Sequence, residues 1–184
     1  MNSPKKITLI VDTNLFLECR SLDQIPWHEL GFDEISLIVP RPVQQEIDNH
    51  KKGIKSRTLK KALAATTLFR GIVVAGGLPH VVQEASPRVT LALMAQSKID
   101  PTLAEELDPE FNDDAIVLRM LQYARDNAPV DVRLLTHDTG PMATVQSVGA
   151  QFIPIPDDWL SNEHDDPTAK ENRKLEAEVK RLKS

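Results

Sequence analysis

The chain alternates short apolar runs with stretches in which apolar residues recur at helical spacing. The runs lack polar alternation, as strands do when both faces of a parallel sheet are buried. The predicted strands lie at residues 7–11, 35–39, 132–135 and 152–155. The predicted helices lie at residues 42–50, 58–69, 112–127 and 141–148, with Asn112 as the cap of the third. This alternation predicts an α/β fold with a mostly parallel central sheet and helices on both faces.

The pattern weakens between residues 71 and 109. Val73 and Val74 precede a Gly76-Gly77 turn, and further apolar stretches flank Ser86-Pro87. Glycine pairs and X-Pro bonds favour turns, so this segment predicts either a hairpin or short separate strands.

The C-terminal segment differs in composition from the rest. We expect one domain at residues 1–160 and a charged, helical tail at residues 161–184. From Pro167 onward, apolar residues recur at heptad positions over about two heptads. A charged terminal helix is the favoured interpretation, and the alternative is a helix that pairs with a second copy or a partner protein.

Composition narrows the class of protein. The 184 residues are 41% hydrophobic and 27% charged, as in a folded globular domain, and no stretch is apolar enough to span a bilayer. The net charge of -5 argues against coating nucleic acid by bulk attraction, and the 4% aromatic content argues against extended stacking platforms. One cysteine, Cys19, excludes an internal disulfide and favours a cytoplasmic protein.

Four acidic residues are expected to meet at one edge of the sheet. Asp12 follows the first predicted strand, and Asp138 follows the strand at 132–135. The carboxyl ends of parallel strands share an edge, which is where ligand sites form in α/β sheets. Helices that begin near this edge bring the other two acids. The candidate catalytic and metal-binding residues are therefore Asp12, Glu46, Asp114 and Asp138.

Clustered carboxylates suit a hard divalent cation. Mg²⁺ and Mn²⁺ prefer oxygen ligands, and one or two such ions can activate water and stabilise a leaving oxygen. Without a cation the same acids would repel one another. Each acid also has an ordinary alternative, because Asp12, Asp114 and Asp138 could be caps or turn residues and Glu46 could face solvent.

Four short motifs resemble those of PIN-domain nucleases, in the same order along the chain. The motifs are IVDTNLF (10–16), VPRPVQQEID (39–48), FNDDAIVL (111–118) and LLTHDTG (134–140). The resemblance spans about residues 7 to 156 and is closer to the larger family members than to the short toxins. It implies a PIN-like three-layer fold and endonucleolytic cleavage of single-stranded RNA.

The resemblance also implies roles for individual residues. Asp12, Glu46, Asp114 and Asp138 would bind Mg²⁺ or Mn²⁺. Asp114 is preferred to Asp113 because it directly precedes the apolar helical stretch. The supporting residues would be Thr13, Asn14, Asp113 and Thr136. The alternative function within the same family is a catalytically silent scaffold that binds RNA or protein.

A basic run follows the helix that carries Glu46. It consists of Lys51, Lys52, Lys55, Arg57, Lys60 and Lys61, with no acid among them. We expect these side chains to bind RNA phosphates next to the metal site. The alternative is a solvated helix face with no role in binding.

Overall fold

The computed structural model describes residues 2–52, 56–161 and 167–182. Within these ranges six strands form one sheet. The strands are β1 (Lys6–Val11), β2 (Glu34–Val39), β3 (His80–Gln83), β4 (Arg88–Leu93), β5 (Val132–Thr136) and β6 (Phe152–Pro154). Their order is β3-β4-β2-β1-β5-β6, and all neighbours are parallel except β3 and β4. The predicted mostly parallel sheet is confirmed.

Helices cover both faces of this sheet, as predicted. They are α1 (Asn14–Leu17), α2 (Arg41–His50), α3 (Ser56–Val74), α4 (Asn112–Asp126), α5 (Thr139–Ser147) and α6 (Pro167–Leu182). Short 3₁₀ turns lie at Leu22–Gln24, Trp27–Leu30 and Asp157–Trp159. In the part of the chain that the structure describes, none of the helices combines the length and apolar character that a bilayer crossing requires.

The central strand β1 sets the position of the edge at which Asp12 lies. It pairs with β2 on one side and β5 on the other, and Leu9, Ile10 and Val11 are fully buried. Burying each of these side chains stabilises the fold by about 1.5–3 kcal/mol, which fixes the register of the strand. Val11 is opposite Leu135, so β1 and β5 end side by side. Whatever follows them in sequence must therefore be adjacent in space.

Helix α2 begins directly after β2, as predicted. Pro40 is extended at the N-cap and Pro42 lies in the first turn, where a missing N–H breaks no helical hydrogen bond. Val43 and Ile47 are buried, one helical turn apart. Glu46 precedes Ile47 on the flank of that buried face, so its half-buried carboxylate can reach the edge of the sheet.

The weakly patterned segment does contain a hairpin. β3 and β4 pair antiparallel, with an irregularity between Val81 and Gln83, and β4 also pairs parallel with β2. The prediction that Val73 and Val74 belong to a hairpin or short strand is wrong. Helix α3 continues through both residues and leaves them 63% and 79% exposed. The helix ends only before Gly76 and Gly77, whose φ values of 80° and 77° favour glycine.

The segment after β6 is held against the domain. Trp159 and Trp27 are fully buried and stack edge to face with ring centroids 5.2 Å apart. Leu160 forms a β-bridge with Cys19, and the Ser161 N–H donates to the Glu18 carbonyl. Farther along, the described side chains of α6 are exposed.

Candidate functional site

Asp12 is a buried acid at the end of the central strand. Asp12 is only 4% exposed, and its backbone N–H donates to the Leu135 carbonyl at 3.2 Å. One carboxylate oxygen accepts from the Thr13 N–H at 2.6 Å, and the other accepts from the Thr136 hydroxyl at 2.7 Å. Both oxygens therefore have a protein donor, which fixes the orientation of the carboxylate.

Thr136 links two of the predicted acids. Its hydroxyl donates to Asp12 and accepts from the Asp138 N–H at 3.1 Å. The Thr136 side chain is fully buried, whereas Asp138 is exposed at the start of α5. A single hydroxyl thus couples the buried end of β1 to the turn after β5.

Glu46 joins the same edge through two donors. Its Oε2 accepts from the Thr13 hydroxyl at 2.6 Å and from the Asn112 side-chain amide at 2.9 Å. Thr13 follows β1 and Asn112 begins α4, so Glu46 on α2 is tied to both elements. These bonds bring the ends of three segments that are far apart in sequence to one place.

Asp114 was the predicted ligand of the Asp113-Asp114 pair, whereas the carboxylate on which the charges of Asp138 and Glu46 act is that of Asp113. The Asp113 carboxylate lies against the start of α5, since a Cβ built on Gly140 would stand 2.5 Å from its Oδ2. Asp114 instead accepts from the Asp108 N–H at 3.0 Å, and that bond holds the preceding loop. We call Asp12, Glu46, Asp113 and Asp138 the acid cluster.

The charges of the acid cluster act on one another. Burial raises the pKa of Asp12 from 3.8 to about 6, the bonds from Thr136 and Thr13 oppose the rise, and the charges of Asp138 and Glu46 add to it. Burial also raises the pKa of Asp113, and the charges of Asp138, Glu46 and Asp114 raise it further. Glu46 and Asp138 therefore lie close enough to destabilise both of the other carboxylates.

Asn14 places a further polar group in this region. It is 3% exposed, and its Oδ1 accepts from the His137 N–H at 3.4 Å. Its Nδ2 has no hydrogen-bond partner among the described residues. A buried donor without a partner costs about 1–3 kcal/mol, so the site carries an unmet donor beside its excess of negative charge.

The acid cluster fits a divalent cation by donor chemistry and by charge. Its carboxylate oxygens are the ligands that Mg²⁺ and Mn²⁺ prefer, and their mutual repulsion is the cost that a cation would remove. Across the described ranges, no three histidine, cysteine or acidic residues already form a group that could hold a metal ion. Mg²⁺ usually binds to one or two carboxylates and keeps several waters, so it does not need a preformed protein cage.

Members of the basic run have different environments. Arg57 donates to the backbone and side chain of Ser161, and Lys61 donates to the Cys19 carbonyl and to the Ser161 hydroxyl. These two hold the segment after β6. Lys51 pairs with Asp48 at 2.8 Å, while Lys52 and Lys60 are exposed. Lys55 lies outside the described residues.

Two residues of the site did not emerge as such from the sequence. Asn112 was expected to cap α4, but Phe111 occupies the N-cap position and the Asn112 amide bonds Glu46 instead. Gly140 lies in the first turn of α5, where a glycine lowers helix stability. That unfavourable choice was the available signal, because it indicates a steric reason such as the approach of Asp113.

A family model matches most of the chain. The family model described as PIN domain matches residues 9–149. The match includes all of the acid cluster. No curated protein matches the chain.

Replacing Asp12 by asparagine tests the buried charge. Folding raises the pKa of Asp12 from 3.8 to about 6. The contribution of the protonated Asp12 carboxyl to the free energy of unfolding is therefore complete below the unfolded pKa of 3.8 and is lost as the pH rises through 6. Asparagine does not titrate. In EDTA, the unfolding free energy of Asp12→Asn relative to wild type should therefore rise between about pH 4 and about pH 7.5, by about 3 kcal/mol at most. Urea unfolding at both pH values measures this difference, and a pH-independent difference would contradict it.

Gly140→Ala tests the contact between α5 and Asp113. The added Cβ would meet the Asp113 carboxylate, so the usual gain from placing alanine in a helix should be lost. In an Asp113→Ala background the gain should return, and the two backgrounds should differ by about 1 kcal/mol. Gly71→Ala, in α3 with nothing within 4 Å of its Cβ, is the control and should stabilise both backgrounds equally. Equal effects of Gly140→Ala in the two backgrounds would refute the contact.

Proposed function

Because the chain belongs to the PIN-domain family, we propose that it is a Mg²⁺- or Mn²⁺-dependent endoribonuclease that hydrolyses phosphodiester bonds of single-stranded RNA. Proteins of this family are generally nucleases, which are hydrolases. The observation that carries the proposal is the convergence of the acid cluster from four separate segments onto the edge where β1 and β5 end.

The acid cluster would hold the cation. Asp12 would be the ligand in the most restrained position, because both of its oxygens are oriented by donors. Glu46, Asp113 and Asp138 come from helices or turns around it and would complete the set. A cation bound there would supply Lewis-acid polarisation of a phosphodiester and activation of a water.

The neighbouring polar residues would position the acids. The Thr13 and Asn112 donors both bind Oε2 of Glu46, so its other oxygen, Oε1, is suited to a ligand. Thr136 holds Asp12 and the Asp138 backbone in fixed relation. Such outer contacts set the direction of ligand lone pairs, and their loss commonly weakens metal binding by about 10- to 100-fold.

Single-stranded RNA would reach the cluster beside the end of α2. Lys51 and Lys52 directly follow this helix, which also carries Glu46, and Lys60 is exposed on the next helix. Arg57 and Lys61 have a different role in this proposal, because their side chains bind Ser161. We place the protein in the cytoplasm, where a single buried cysteine, Cys19, would remain reduced.

A catalytically silent scaffold is the second candidate. It draws on the finding that, within the described residues, no three potential ligands already form a metal-holding group. Such a protein would bind RNA or a partner protein through the same edge without cutting the chain. It and the nuclease differ in turnover, so one assay separates them.

The assay follows an end-labelled single-stranded RNA in Mn²⁺ and in EDTA. We expect wild-type protein to cut internally in Mn²⁺ and not in EDTA, and Asp12→Asn to lower the rate by about two orders of magnitude or more. Asp158→Asn, an exposed acid outside the acid cluster, should retain wild-type activity. Duplex RNA and single-stranded DNA of the same sequence test the substrate class.

Each other result of this assay has a defined meaning. Equal cleavage by wild type and Asp12→Asn would identify a contaminating nuclease and contradict the proposal. Binding of RNA without cleavage under any metal condition would support the scaffold instead.

A further inference from the structure

Phe111 differs from every other aromatic residue of the chain. The chain has five phenylalanines, two tryptophans and one tyrosine, and all eight lie in described ranges. Seven of them are buried or half-buried, whereas Phe111 is 65% exposed. A single exposed apolar side chain is common, so exposure alone indicates nothing. Phe111 is informative because it precedes Asn112, which bonds Glu46, and Asp113.

The backbone of Phe111 is fixed on both sides. Its N–H donates to the Asp108 carbonyl at 3.0 Å, and its carbonyl accepts from the Ala115 N–H at 2.8 Å. It is the N-cap of α4 in an ordinary extended conformation. The next residue, Asn112, bonds Glu46, and the one after it is Asp113. With successive Cα atoms about 3.8 Å apart, the Cα atom of Phe111 lies within about 8 Å of that of Asp113.

The charges beside Phe111 limit what can bind there. The residues just before it include four exposed acids, Glu105, Glu106, Asp108 and Glu110. Phosphate groups are repelled by such a segment. The attractive contact that this side of the site offers to a nucleic acid is therefore the face of an aromatic ring, which binds a base and not the backbone.

We propose that Phe111 is a stacking residue for the unpaired nucleobase next to the bond that is cut. This inference rests on the proposed nuclease function and adds a reason for single-strand specificity, since a base inside a duplex cannot offer its face. The low aromatic content argues against an extended platform, but stacking of a single base needs only the one ring, which the chain carries two residues before Asp113. The contact is sequence-tolerant because every base has a stacking face.

Binding measurements test the role of the ring. All variants carry Asp12→Asn, so that the fluorescently labelled single-stranded RNA stays intact, and are measured in Mg²⁺ over a range of salt concentrations. Phe111→Ala should weaken binding by about tenfold or more, and Phe111→Tyr should restore it. The salt dependence should not change, because stacking releases no counterions. Leu78→Ala removes another exposed apolar side chain, 69% exposed, and should bind like the parent.

A second arm identifies the stacked base. In a series of RNAs, each RNA carries one abasic nucleotide at a different position. At one of these positions, the missing base should lower the affinity of the Asp12→Asn protein by as much as Phe111→Ala does. Phe111→Ala protein should be insensitive to that abasic nucleotide. Thermal unfolding checks that both Phe111 variants remain folded.

The outcomes separate this inference from the function on which it rests. The stacking role is overturned if Phe111→Ala binds RNA as tightly as the Asp12→Asn protein without it, or if Phe111→Tyr does not restore the lost affinity. In either case, RNA cleavage by the protein with Asp12 intact leaves the nuclease proposal standing. Absence of RNA binding by the parent, together with absence of cleavage, overturns both.

Discussion

The burial of a carboxylate at the end of the central strand is the constraint on which the site depends. β1 is buried on both faces and lies between two parallel neighbours, so Asp12 cannot leave the interior without breaking the register of the strand. Its charge is costly there, as the pKa of about 6 indicates. The fold thus holds a charge in place that the protein alone does not fully compensate.

Short polar side chains connect the acids of the cluster to one another. The hydroxyls of Thr13 and Thr136 and the amide of Asn112 each donate to an acid of the cluster from a different segment. They orient the carboxylates without neutralising them, because neutral donors leave the negative charge in place. The result is an oriented set of oxygens with an electrostatic cost that a divalent cation would relieve.

The sequence predicted those parts of the protein that depend on local pattern. Short, mostly apolar runs identify β1, β2 and β5, and the ends of parallel strands place Asp12 and Asp138 on one edge. The choice between Asp113 and Asp114 was not accessible, because adjacent helical positions point about 100° apart and the loop that binds Asp114 comes from an unpatterned segment. Likewise, a run of positive residues does not reveal that Arg57 binds a serine 104 positions away.

The central claim is that the acid cluster binds a divalent cation at the edge where β1 and β5 end. The most direct measurement is anomalous diffraction from crystals of the wild-type protein soaked in MnCl₂. We predict an anomalous peak bonded to oxygens of Asp12 and of at least one other member of the acid cluster, at about 2.1 Å. Crystals that bind manganese only elsewhere, or that leave the acid cluster without a peak at saturating manganese, would contradict the account.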